Sequence, residues 1–173
     1  KLFEKILNPK VGKFHYVVVK NTCHDIVALL VGVAIRERAG AWTLEDSLLE
    51  LAELARSAGA RVVGTMTQRL SGPSRTYLGK GKLEQLKEMA RRGRFDTVIC
   101  DDEMTPTQQR VVESALGEEV KVIDRTALIL DVFARRARTH EGRLQVDLAQ
   151  HEYLLPRLAG QWSHLERLGA GIG

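Results

Sequence analysis

Three short stretches of this 173-residue chain gather side chains that could do chemistry. Tyr77-Leu-Gly-Lys-Gly-Lys82 sets two lysines among glycines at the start of a helical pattern. Backbone amides there, with Gly79, Lys80, Gly81 and Lys82, can hold a phosphate or nucleotide, and Lys80 and Lys82 are also candidate contacts to RNA phosphate, together with Arg135, Arg136, Arg138 and Arg143. The alternative is that the glycines merely turn the chain and the lysines are solvated. The stretch is not a P-loop, because GxxxxGK followed by Ser or Thr needs a longer spacing and a hydroxyl residue. Asp101-Asp102-Glu103 follows an apolar run, at the carboxyl edge where open parallel sheets bind ligands. These carboxylates are candidate magnesium ligands, or they pair with Lys80, Lys82 or Arg110, or they cap the next helix. Arg135-Arg136-Ala137-Arg138-Thr139-His140-Glu141-Gly142-Arg143 holds four arginines and one acid. Guanidinium forks match phosphate oxygens, which suits RNA; a solvated helix end is the plainer reading. No serine, cysteine or histidine forms a nucleophile–base set, so no catalytic residue is assigned.

The net charge of +4 sits elsewhere. Residues 1–20 hold Lys1, Lys5, Lys10, Lys13 and Lys20 against the single acid Glu4, and the rest of the chain is balanced. Polyanion binding must therefore come from local placement of charge, not from the pI of about 9.2. Hydrophobic content of 44% and charged content of 28% are those of a globular domain. No apolar run reaches the roughly 18 residues that span a bilayer, and no signal-peptide pattern opens the chain. Cys23 and Cys100 belong to no Cys/His cluster, which argues against a zinc site or disulfides and suits a reducing compartment.

The elements that must position these groups alternate. Ile26–Ile35 is an apolar strand. Thr43 caps a helix over residues 44–58 whose apolar residues recur at helical spacing, and Gly59 stops it. A strand over Arg61–Thr67, a helix over Lys82–Arg92, a strand over Asp96–Cys100, a helix opened by Thr105-Pro106-Thr107-Gln108 and a strand over Val120–Ile123 follow. Single helices between strands predict an α/β fold, a small parallel sheet flanked by helices. From Arg125 the strand signal ends, and a long, coiled-coil-like α-helical hairpin is expected, broken near His140–Gly142. Its second helix carries a heptad seam at 144, 148, 151, 155, 158, 162 and 165, polar only at His151. Leu128, Ile129, Val132, Phe133 and Ala137 are expected to cover part of that seam. Its end, at Trp162 and Leu165, has no partner in this chain, and Pro156 is expected to kink the helix. His151 reads as a seam residue rather than a metal ligand. The ending Gly169-Ala-Gly-Ile-Gly173 suggests a fragment with a helix missing beyond it.

Several motifs resemble one family. Ala60-Arg-Val-Val-Gly-Thr, Thr76-Tyr-Leu-Gly-Lys-Gly-Lys-Leu-Glu, Asp101-Asp-Glu-Met-Thr-Pro-Thr-Gln-Gln-Arg110 and Val122-Ile-Asp-Arg-Thr-Ala-Leu-Ile-Leu-Asp-Val-Phe133 look like the N-terminal domain of the HflX GTPases. So do Ala137-Arg-Thr-His-Glu-Gly-Arg-Leu-Gln-Val-Asp-Leu-Ala-Gln150, Tyr153-Leu-Leu-Pro-Arg157 and Gly169–Gly173. The resemblance implies a basic extension over 1–26, a parallel α/β domain over 27–124, and a helical hairpin over 125–173 leading to an absent G domain. It further implies a cytoplasmic protein (organellar if eukaryotic), a monomer, that binds the large ribosomal subunit and its rRNA and splits stalled or stressed ribosomes. GTP and magnesium would belong to the G domain, with ATP a candidate at the N-terminal domain. Partners within the full protein would be the G domain and a returning helix. GTP hydrolysis is not assigned to these residues: the only asparagines, Asn8 and Asn21, lie in no NKxD motif. Two other readings stand beside this one, a nucleotide-hydrolysing α/β domain using Gly79–Lys82 and Asp101–Glu103, and a scaffold whose seam recruits a partner helix.

Overall fold

The computed structural model describes residues 26–35, 43–117 and 119–169, with side chains as far as Leu158. The lysine-rich start, both asparagines, Cys23, the end of the glycine-rich tail and the side chains of Trp162 and Leu165 lie outside the described residues. The elements run β1 (Ile26–Ile35), α1 (Leu44–Ser57), β2 (Ala60–Leu70), α2 (Lys80–Arg91), β3 (Thr97–Cys100), α3 (Pro106–Leu116), β4 (Lys121–Asp124), α4 (Arg125–Arg136) and α5 (His140–Gly169). All strand pairs are parallel, in the order β2-β1-β3-β4.

Local chemistry sets the boundaries. Thr43 and Asp46 form a reciprocal capping box at α1, and Thr105 and Gln108 form another at α3, with Pro106 in its first turn. Gly59 and Gly93 take φ of +83° and +63° just after α1 and α2, where a side chain would be strained. β1 is the apolar centre of the sheet, and all four residues of β3 are buried.

Each face of the sheet has its own core. Ala28, Leu30 and Ile99 meet Leu48, Leu51, Leu128 and Val132 of α1 and α4. Leu29, Val31, Val98 and Cys100 meet Leu86 of α2 and Val112 of α3 on the other face. Helix α4 is thus a covering helix of the sheet. Its Leu128 and Val132 lie in the core on the face that α1 covers.

The seam expected along α5 is not what the domain covers. Leu144, Leu148 and Leu155 are 56%, 61% and 62% exposed, and Phe133 on α4 is 56% exposed. Tyr153, Leu154 and Arg157 are buried instead. The heptad count finds the apolar stripe of α5. Its docked face is chosen by a polar anchor, described below, that hydrophobic periodicity does not register. Pro156 lies inside α5, which continues through it without a break.

Candidate functional site

Chain direction decides which groups share a surface. Every strand of a parallel sheet starts at one edge, and every covering helix returns to it. Helix α2 begins at the carboxyl edge with Lys80 and ends at the amino edge with Arg91, about 18 Å away at 1.5 Å per residue. Helix α4 likewise starts beside Asp124 and ends in Arg135 and Arg136. The Nη1 of Arg135 comes within 3.8 Å of a Cβ built on Gly59, where α1 also ends, which fixes that end of α4 at the amino edge. Lys80 and Lys82 therefore occupy the opposite edge from Arg135, Arg136 and Arg138. The two predicted phosphate-binding groups do not form one surface.

At the amino edge, Arg136, Arg138 and Arg143 are exposed and make no ion pair with a described residue. Arg135 bonds Asp131 at 2.8 Å. Burial pushes the Asp131 carboxyl above its usual range, and Arg135 opposes that shift. Thr139 opens α5, its hydroxyl accepting from the Gly142 amide at 3.0 Å. Arg143 bridges back to the Arg138 carbonyl at 3.4 Å. The turn is short, capped and cationic.

At the carboxyl edge, the reading of Gly79–Lys82 as a phosphate cradle meets two obstacles. The helix starts at Lys80 rather than Lys82, and the Gly79 amide already donates to Gln68 Oε1 at 2.9 Å. Tyr77, at φ +64°, is buried with its hydroxyl 3.3 Å from the Val31 carbonyl oxygen and 3.2 Å from Asp102 Oδ2. Strand β3 ends there, at Cys100 beside Val31, while β1 runs on to Ile35; between these two strands the sheet order reverses and a ligand crevice would open. The buried Tyr77 phenol stands at that point. Burial and the nearby Cys100 and Asp102 push the Tyr77 hydroxyl far above its ordinary range, so it stays a proton donor.

Asp101, Asp102 and Glu103 do not converge on a metal. Asp101 bonds Arg125 Nη2 at 2.6 Å, Asp102 faces Tyr77, and Glu103 is exposed. Among the described residues no group of three or more acids, histidines or cysteines could hold a metal ion. Successive residues of a short loop point apart, so three adjacent carboxylates become three separate partners. Arg125 takes Asp101 rather than leaving it to Lys80, Lys82 or Arg110, and it also bonds Glu50 at 3.0 Å and the Ser47 carbonyl at 2.9 Å. Burial lowers the Arg125 pKa, but its bonds to Asp101 and Glu50 outweigh that and hold it above the usual value.

The sequence reading assigned no role to the Asp124–Arg157 anchor. Asp124, 1% exposed, caps α4 through the Ala127 amide at 2.9 Å. Its carboxylate also accepts from the Met104 amide at 3.0 Å, the Tyr153 hydroxyl at 2.8 Å and Arg157 Nη2 at 3.1 Å. Arg157, 8% exposed, donates to the carbonyls of Met104 and Tyr153 and to Gln109, and lies 3.4 Å above the Tyr153 ring. Every buried side-chain nitrogen and oxygen among the described residues has a partner. The available signal was the spacing Tyr153-x-x-x-Arg157, one helical turn that puts ring and guanidinium on one face.

Comparison with known proteins then places the chain. A family model described as the GTP-binding GTPase N-terminal region matches residues 45–134, and one described as the GTP-binding GTPase middle region matches residues 136–173. The GTPase HflX of Caldanaerobacter subterraneus is 55% identical over 130 residues, 75% of this chain and 30% of that protein. The chain belongs to the HflX GTPase family. The GTPase HflX of Flavobacterium psychrophilum is 41% identical over 155 residues, 89% of this chain and 37% of that protein. That of Escherichia coli is 43% identical over 129 residues, 74% and 30% respectively. The chain thus spans about a third of the HflX proteins it matches. In fold it resembles a GTP-binding protein of Sulfolobus solfataricus crystallised with GDP, at a TM-score of 0.58 and 22% identity over 80% of this chain and 40% of that one. No described helix is long and apolar enough to cross a membrane.

Proposed function

We propose that this chain is the RNA-docking part of an HflX GTPase that binds the large ribosomal subunit and splits stalled or stressed ribosomes. The supporting observation is the exposed turn carrying Arg136, Arg138 and Arg143, free of ion pairs with described residues, in a chain of that family. Guanidinium groups held on a capped turn meet phosphate oxygens with little ordering still to be done. GTP and its magnesium we assign to the part of the relatives that this chain does not span, and the working compartment to the cytoplasm. The exposed leucine stripe of α5 is the face a returning helix would cover. In this reading the full protein acts as a monomer.

Charge reversal at Arg135, Arg136, Arg138 and Arg143 tests the assignment. It is expected to weaken binding to purified large subunits by at least tenfold at low salt, the difference shrinking as salt rises. Equal binding across the whole salt range would contradict it.

The ATP alternative rests on Lys80 and Lys82 standing free of ion pairs with described residues in the first turn of α2. Against it stand the engaged Gly79 amide and the buried Tyr77 phenol at the sheet end. Calorimetry at millimolar ATP is expected to be flat; a saturable isotherm abolished by Lys80→Ala would restore that reading.

A further inference from the structure

The loop 101–105, between β3 and α3, is tied at both ends to one segment and held in the middle by another. The segment 74–79, which leads from β2 into α2, crosses the sheet end as a strap. At the start of the loop, the Tyr77 hydroxyl lies 3.2 Å from Asp102 Oδ2. It also shares the Val31 carbonyl oxygen, at 3.3 Å, with the Asp101 amide, at 2.9 Å. At the other end Gln108 joins strap to loop. Its Nε2 donates to the Ser74 carbonyl at 2.7 Å, and its Oε1 accepts from the Thr105 amide at 2.9 Å. Between these ties stands Met104, 1% exposed. Its amide donates to Asp124 at 3.0 Å, and its carbonyl accepts from Arg157 Nη2 at 2.7 Å.

The strap is under strain. Tyr77, at φ +64°, is the only non-glycine residue with a positive φ among those described. A β-carbon in that conformation crowds the following carbonyl, so the strap stays down only while its bonds and buried ring offset the cost.

Helix α5, for its part, is docked by a small face. Of its residues 140–158, only Tyr153, Leu154 and Arg157 are buried. An element with so little buried apolar surface opens more readily than the core. Two of those three residues bond Asp124, whose carboxylate is placed by the Met104 and Ala127 amides. The docking of α5 therefore depends on where Met104 stands, and Met104 stands where the strap holds its loop.

We infer that the loop 101–105 is a joint through which the strap controls the docking of α5. Lifting Tyr77 from the sheet end frees the loop, draws Met104 away from Asp124 and Arg157, and releases the helix. The coupling runs both ways, because two groups that favour the same loop position favour each other. A segment at one end of the sheet thus sets the orientation of the helix that carries the arginine turn at the other.

Hydrogen exchange of the full chain tests this. Tyr77→Phe keeps the ring and removes the hydroxyl. Gln108→Glu keeps an oxygen for the Thr105 amide and removes the donor to Ser74. The double variant is expected to exchange its Leu154, Leu155 and Arg157 amides about tenfold faster than the parent, with residues 51–55 of α1 unchanged. Arg157→Met is expected to quicken the Leu78 and Gly79 amides in return. Thr43→Ala, which removes the α1 cap, is expected to quicken α1 and leave α5 at the parent rate. Faster exchange confined to the strap of the double variant, with α5 at parent rates, would overturn the inference. So would parent rates in the strap of Arg157→Met. An equal rise in α1 and α5 of any variant would overturn it too, because the whole fold would then have loosened. Should the double variant not fold, Tyr77→Phe alone decides, with a rise of about threefold expected at the same α5 amides and none overturning the inference.

Discussion

Asp124 and Arg157 carry the heaviest structural duty per atom in this chain. One carboxylate serves as helix cap, loop anchor and counter-ion, and one guanidinium answers it across two helices. Removing one member leaves a buried charge unpaired, so Arg157→Ala is expected to cost about 3–5 kcal/mol in chemical denaturation. The double variant Asp124→Asn/Arg157→Met is expected to cost less than the sum of its singles, since it leaves no isolated charge. Glu113 behaves oppositely. Burial raises its carboxyl pKa against the pull of Gln109, Arg110 and Arg157, so the folded state holds its proton more tightly than the unfolded state. Stability from this group therefore falls as pH rises through the folded pKa. Glu113→Gln keeps an oxygen for the Gln109 amide and is expected to raise the melting temperature slightly at pH 7. That gain should vanish below about pH 4, where the acid is protonated in both states.

At the scale of elements, much of the fold was legible because its signals are local. Thr43, Gly59, Thr105 and Pro106 mark helix ends by their own chemistry, and each marks the end it suggested. Thr105→Ala is expected to cost about 1 kcal/mol by removing the α3 cap. The docked face of α5 was not legible. Heptad spacing pointed to Leu144, Leu148 and Leu155, whereas the buried face is Tyr153, Leu154 and Arg157, fixed by a carboxylate at the end of β4. Leu154→Ala is therefore expected to cost about 2–4 kcal/mol, and Leu148→Gln or Leu155→Gln less than about 0.5 kcal/mol each, in the same denaturant titration. The candidate site divides the same way. The arginine turn is contiguous in sequence and emerges as a turn. The Asp101–Glu103 run is also contiguous, but its side chains part toward Arg125, Tyr77 and solvent, which depends on residues far away in the chain.

At the scale of the whole molecule, the parallel sheet decides which distant residues share an edge. Strand starts and helix ends share the amino edge, so Arg61, Arg94, Lys121 and the turn arginines meet there despite wide separation in sequence. The carboxyl edge, where such folds usually bind ligands, carries the buried Tyr77 phenol and is crossed by the Arg125 and Arg157 ion pairs. The proposed RNA-docking turn lies at the opposite end of the sheet from the edge that the fold class suggests. Helix α5 leaves the amino edge, is clamped at the carboxyl edge by Arg157, and continues about 18 Å beyond it to Gly169. The contact proposed above is between the arginine turn and RNA phosphate. Its most direct measurement is the salt dependence of large-subunit binding for the parent and for Arg136→Gln/Arg138→Gln/Arg143→Gln. A slope shallower by about 2–3 is expected for the variant; two parallel lines would rule the contact out.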